Sequence, residues 1–206
     1  MSKFILACLI SGPFAAYCTS ADVCSRSKGV RDTLVDALDI PCESITLADL
    51  VTISGTLAVM PDDLTNLALQ SGDFVGLSAV TDLDLSWGVV SVTSGTFTGL
   101  TAVERISLAN GFVTTLPADI FSGLTTLKKL GLNEGALTSV PDGIFDNLPN
   151  LQTLSLRVNK ITDFSDHVFD PEKFSSQAMV FVSGNPLSAS AIALLKSQLG
   201  NRVDLP

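Results

Sequence analysis

The sequence predicts an α/β solenoid: a coiled stack of short units with a parallel sheet along its concave face and a helical cap at each end. Three observations predict it. Phenylalanine recurs at Phe74, Phe97, Phe121, Phe145 and Phe169, at spacings of 23, 24, 24 and 24 residues. Apolar pairs separated by one residue keep the same step, at Leu57/Val59, Leu83/Leu85, Ile106/Leu108, Leu130/Leu132, Leu154/Leu156 and Val180/Val182. Apolar residues at helical spacing stand before the first of these units and after the last. A fixed period in this range marks a repeat stack, because one such unit cannot enclose its own apolar side chains and must bury them against its neighbours.

The chain begins with the pattern of an export signal. Lys3 gives a positive flank, Phe4 to Tyr17 is mostly apolar, and the small residues Thr19 and Ala21 suit a cleavage site, so residues 1–21 are expected to be removed after Ala21. A buried N-terminal helix is the competing reading, but Gly12-Pro13 interrupts the stretch. Cleavage takes Cys8 and Cys18 away and leaves Cys24 and Cys42 as the only thiols of an exported protein. They are expected to pair, stabilising the fold by roughly 3 kcal/mol. A structural zinc site in their place needs more ligands than two sulfurs and the distant His167 supply.

Residues 22–49 read as the N-terminal cap. Val30, Leu34 and Leu38 share one face of a helix that begins near Ser27 and ends before Pro41, with Cys24 and Cys42 on either side.

Residues 50–187 read as the repeats. Within each short strand the paired apolar residues point to one face and their neighbours to the other, so one face is core and the other solvent. The full unit is clearest in Leu124, Leu127, Leu130, Leu132, Leu137, Val140-Pro141 and Phe145, and again in Leu148, Leu151, Leu154, Leu156, Asn159, Ile161, Phe164 and Phe169. This pattern resembles the extracellular leucine-rich repeat of about 24 residues. The segment Val23-Cys24-Ser25-Arg26 with Val30-Arg31-Asp32 resembles the capping segment that precedes such repeats in secreted bacterial proteins, which implies a structural ion pair or cap contact for Arg31 and Asp32. The sequence departs from the family at the position that usually holds Asn. There it has Asp62, Gly88, Gly111, Gly135, Asn159 and Asn185, so the first half is expected to be less rigid or water-bridged. The first repeat is irregular, with an insertion expected around Leu67 to Gln70.

Residues 188–206 read as a second cap, a helix starting at Ser188 or Ser190, burying Ile192, Leu195 and Leu199, and ending at Gly200. The absence of an anchor signal before Pro206 favours a free secreted module.

A formal charge of −9 disfavours nucleic acid, since phosphates would be repelled over most of the surface and the one basic cluster, Lys128-Lys129, is short. No apolar run reaches the length of about 20 residues needed to span a membrane. No phosphate loop, metal-spaced set or catalytic constellation is legible, and His167, the sole histidine, is expected on the convex side, so neither an enzyme nor a cofactor is predicted.

Function is expected on the outward strand positions. One column runs Ala58, Asp84, Ser107, Gly131, Ser155 and Phe181, and its flank runs Met60, Ser86, Ala109, Asn133, Arg157 and Ser183. Trp87, Asn110 and Glu134 lie beyond that flank, and Asp82, Arg105 and Lys129 lie on the opposite side. The ligand-binding set is therefore Asp82, Asp84, Trp87, Arg105, Asn110, Lys129, Asn133 and Arg157. Trp87 has two open readings, an anchor for a partner or packing over the gap beside Ser86 and Gly88. Asp82 and Asp84 suggest a calcium pair or paired carboxylates, but cross-strand pairing with Arg105 and the lysines is the simpler account. The family resemblance implies recognition of a protein or glycan partner on the concave face by an expected monomer; a self-associating surface scaffold is the alternative.

Overall fold

The computed structural model describes residues 22–60 and 67–205. The expected signal segment and Asp62 lie outside them. Seven strands form one parallel sheet in the order β1-β3-β5-β6-β7-β8-β9: β1 (Gly55–Ala58), β3 (Val80–Asp84), β5 (Arg105–Ser107), β6 (Lys129–Gly131), β7 (Thr153–Ser155), β8 (Met179–Phe181) and β9 (Val203–Asp204). A second, two-stranded parallel sheet joins β2 (Leu67–Ala68) to β4 (Val89–Ser91). The result is the expected leucine-rich-repeat solenoid, with the larger sheet on its concave face.

The apolar pairs place the core. Leu83, Ile106, Leu130, Leu154 and Val180 pair in register across the sheet, and all are buried, as are the second members Leu85, Leu108, Leu132, Leu156 and Val182. Behind the sheet the five phenylalanines stack face to face from Phe74 to Phe169, with centroid separations of 5.9, 6.0, 6.3 and 5.9 Å. Two internal columns, one aliphatic and one aromatic, thus run the length of the repeats. The last interval is longer, with 26 residues from Leu154 to Val180, and it accommodates Phe174, whose ring meets Phe169 edge-on at 5.2 Å.

Helix α1 (Lys28–Leu38) starts after Ser27 as expected and buries Val30 and Leu34. A short helix α2 (Leu47–Leu50) follows, which the sequence reading did not anticipate. Its signal is a capping box: the Thr46 hydroxyl accepts from the Asp49 N–H, and the Asp49 carboxylate accepts from the Thr46 N–H. Cys24 and Cys42 form the expected disulfide. Arg31 and Asp32 form the expected local ion pair at 2.9 Å, and Lys28 joins them at 2.6 Å.

The cap is fastened to the repeats by Arg26 and Ser27. The Arg26 guanidinium donates to the carbonyls of Asp73 (2.7 Å) and Val75 (2.6 Å). The fully buried Asp73 carboxylate accepts from the Ser27 N–H and hydroxyl and from the Gln70 N–H. Burial lowers the Arg26 pKa, and the Asp73 charge partly restores it. Leu67 to Gln70, expected as an insertion, carries β2. Leu67 and Leu69 are buried, so the segment follows the period-two rule of a strand.

At the other end α3 (Ala189–Leu199) is capped by the Ser188 hydroxyl, which accepts from the Ala191 N–H at 3.0 Å. It buries Leu195 and Leu199 as expected, but the third buried position is Ala191, with Ile192 only half-buried. Strand β9 is an addition to the expected cap and pairs with β8 through Val180↔Val203 and Phe181↔Asp204.

Candidate binding face

Parallel pairing without a register slip between β3 and β8 turns repeat positions into straight columns across the sheet. Asp84, Ser107, Gly131, Ser155 and Phe181 form the central one. Apart from Phe181 these side chains are small or short, so the middle of the face is shallow. Asp84 accepts from the Ser86 N–H at 2.9 Å, and the Ser86 and Ser107 hydroxyls are 2.8 Å apart. Burial pushes the Asp84 pKa up, but Ser86 and Arg105 outweigh it and hold the carboxyl below its ordinary value.

The N-terminal ends of the strands form a charged margin. Arg105 donates to Asp82 at 3.1 Å, and Lys128 pairs with Glu104 at 2.7 Å. These residues line a cleft of about 180 Å³ together with Thr81 and Lys129. The cross-strand account of Asp82 therefore holds, and Lys129 remains without an ion-pair partner among the described residues.

Beyond the C-terminal ends lies a second margin with a different character. Trp87, Asn110, Glu134 and Val158 occupy corresponding positions, and each has the left-handed backbone, with φ of 80°, 58°, 57° and 53°. The turn is tied to the next repeat by the N–H groups of Trp87, Asn110, Glu134 and Val158, which donate to Ala109, Asn133, Arg157 and Ser183 carbonyls. Such a conformation costs a bulky residue about 1–3 kcal/mol. Trp87 nevertheless stands there with 54% of its surface exposed. Phe112, 52% exposed, joins it in lining a groove of about 440 Å³ with Asn110, Glu134 and Lys160. Sequence reasoning passed over Phe112, although a large aromatic between the repeat glycine Gly111 and the core residue Val113 was a visible signal.

The candidate set thus divides. Asp82, Arg105 and Lys129 belong to the charged margin and Asp84 to the centre, while Trp87 and Asn110 belong to the aromatic margin. Asn133 bridges inward from that margin and donates to Glu134 at 3.1 Å. Arg157 is engaged within the protein: it pairs with Asp204 of β9 and lies 4.5 Å over the Phe181 ring. That pairing, with help from the Ser183 hydroxyl, holds the Asp204 carboxyl below its ordinary value.

Cys24, Cys42 and Glu43 gather three potential metal-ligand atoms within 4.8 Å, but both sulfurs are consumed in the disulfide. His167 is exposed beside Asp166, at 3.6 Å.

A family model described as leucine rich repeat matches residues 125–187. Among solved structures, the chain is similar to a leucine-rich-repeat protein of Leptospira interrogans, with a TM-score of 0.58 and 19% identity over 81% of this chain and 39% of that one. It is also similar to a chain of the Drosophila Toll–Spatzle complex, with a TM-score of 0.60 and 24% identity over 73% of this chain and 20% of that one. This chain therefore spans about two fifths and one fifth of those two. No curated protein sequence matches it. Among the described residues no helix is long and apolar enough to cross a membrane. Period, register and stacked phenylalanines agree with these likenesses: the chain has the fold of a leucine-rich-repeat solenoid.

Proposed function

We propose that this chain is a secreted recognition module that binds a protein or glycan partner on the concave sheet face and carries out no reaction. The observation that carries the reading is the unbroken register from β3 to β8, which sets a shallow, polar, small-residue surface between two functionally different margins. Large flat partners suit such a surface, whereas catalysis calls for a convergent pocket. The Cys24–Cys42 disulfide supports export, since such bonds persist in oxidising compartments. Capping helices at both ends and β9 along the last strand cover the positions where copies would stack, which favours a monomer over a self-associating scaffold.

The test is a substitution that fills the middle of the face without disturbing the fold. At Gly131 a Cβ would meet only ordinary contacts, the nearest being Asn133 Oδ1 at 3.5 Å, so Gly131→Arg has room at its Cβ and is expected to obstruct the surface. Labelled protein is exposed to an array of displayed extracellular proteins and glycans. Capture that disappears in Gly131→Arg with an unchanged Tm supports the proposal. Capture that survives it moves recognition off the concave centre, and concentration-dependent light scattering abolished by Gly131→Arg favours the scaffold.

A further inference from the structure

The aromatic margin differs from the rest of the molecule in what its polar groups are doing. On the charged margin both acids are paired, Asp82 with Arg105 and Glu104 with Lys128, and Lys129 is left as a surplus cation. In the groove beyond the strand ends, the Asn110 amide and the Lys160 ammonium make no hydrogen bond or ion pair among the described residues. Glu134 accepts one bond, from Asn133 to Oε1, which leaves its other oxygen available. Donors and acceptors therefore stand unused beside two half-exposed aromatic rings, Trp87 and Phe112.

The charges of Glu134 and Lys160 sum to zero. On a chain of formal charge −9, a locally neutral groove does not select for a cationic or an anionic guest. Its chemistry calls for an uncharged molecule with apolar faces for the rings and many hydroxyls for the amide, carboxylate and ammonium. The backbone that carries the rings is held in place: the Trp87 main-chain N–H donates to the Ala109 carbonyl at 2.9 Å, and the Phe112 main-chain N–H to the Val89 carbonyl at 2.7 Å. Fixed backbone lowers the ordering cost of binding. The space, about 440 Å³, lies within the range of about 300–1,000 Å³ usual for small-ligand sites.

We infer that this groove is a carbohydrate subsite, in which Trp87 and Phe112 stack on the apolar faces of a neutral sugar and Asn110, Glu134 and Lys160 hydrogen-bond its hydroxyls. The inference deepens the proposed recognition function by naming a ligand class and moving its site from the centre of the sheet to one margin.

Trp87 is the only tryptophan in the chain, so its fluorescence reports occupancy of this groove directly. The full chain is titrated with neutral oligosaccharides of glucose, mannose and N-acetylglucosamine, and separately with neutral peptides of matched mass. The expected result is a saturable blue shift with at least one sugar series, weakened at least tenfold in Phe112→Ala and in Asn110→Ala and retained in Gly131→Arg. Circular dichroism melting shows that the variants remain folded. A shift with no sugar, a shift unaffected by Phe112→Ala and Asn110→Ala, or a shift produced only by peptides overturns the subsite. Loss of sugar binding in Gly131→Arg also overturns it, by placing the sugar on the central face. Phe112→Ala and Asn110→Ala probe the groove and Gly131→Arg probes the central face, so failure of the subsite is distinguishable from failure of the concave-face reading.

Discussion

The last repeats and the earlier ones solve the same backbone problem differently. Around Asn159 and Asn185 the turn after each strand is held by a buried amide. Asn159 donates to the carbonyls of Leu132 and Leu156 and accepts from the Leu137 N–H. Asn185 donates to Leu156 and Val182 and accepts from the Ile161 N–H. Gly88, Gly111 and Gly135 offer no side chain. There the chain pairs backbone with backbone: the N–H groups of Leu67 and Leu69 donate to the carbonyls of Gly88 and Ser91 along the small sheet of β2 and β4. Between the two regimes, where Gly111 and Gly135 approach Asn159, lies a void of about 10 Å³, room for roughly one water. The difference teaches that a buried amide ladder is one way to satisfy the turn, and extended pairing is another. Recognition by sequence follows the first: the family model matches only residues 125–187.

What both regions share is the phenylalanine column, and breaking it gives the largest effect. Phe97→Ala and Phe145→Ala are each expected to cost about 4 kcal/mol, read from urea unfolding midpoints. The Phe145 loss should be slightly larger because Phe174 also meets that ring. A loss at Phe145 several times that at Phe97 would show that cohesion resides in the second half alone.

Next comes the amide. Asn159→Ala strands the Leu137 N–H and two buried carbonyls, and should cost about 3 kcal/mol, since orphaned buried groups lose their solvation without replacement. Amide exchange at Leu137 should accelerate in parallel, and an unchanged exchange rate would mean that the ladder does not hold the turn.

A smaller effect sharpens the boundary between the two regimes. A Cβ at Gly135 would lie 2.8 Å from Asn159 Oδ1, so Gly135→Ala should displace that acceptor and cost about 1 kcal/mol. In an Asn159→Ala background the penalty should vanish, and an additive double-mutant cycle would refute the coupling.

The smallest effect concerns Asp204, at the outer edge of the Asn-bearing half. Its pairing with Arg157 and Ser183 lowers its pKa from the usual 3.8, so the pair stabilises the fold above that value, and the contribution is lost as pH falls through the depressed one. Asp204→Asn should lower stability slightly at neutral pH and flatten the acid limb of a stability-against-pH curve, so that the variant and the parent converge as pH falls below the ordinary carboxylate range. An equally steep acid limb would assign acid sensitivity to other carboxylates.

The sequence by itself determined the solenoid, the six large-sheet strands marked by apolar pairs, the core columns, the disulfide and the starts of α1 and α3. These follow from period, from alternation and from caps, all of which are local rules repeated along one axis. Only the tertiary structure decided that Arg26 and Ser27 fasten the cap through Asp73, some 46 residues away, and that β9 returns to the sheet and claims Arg157. It also decided that Trp87 and Arg105 stand on separate margins and that Phe112 belongs with the former. Those are contacts between non-equivalent positions, and a repeating pattern carries no information about where its irregular residues meet.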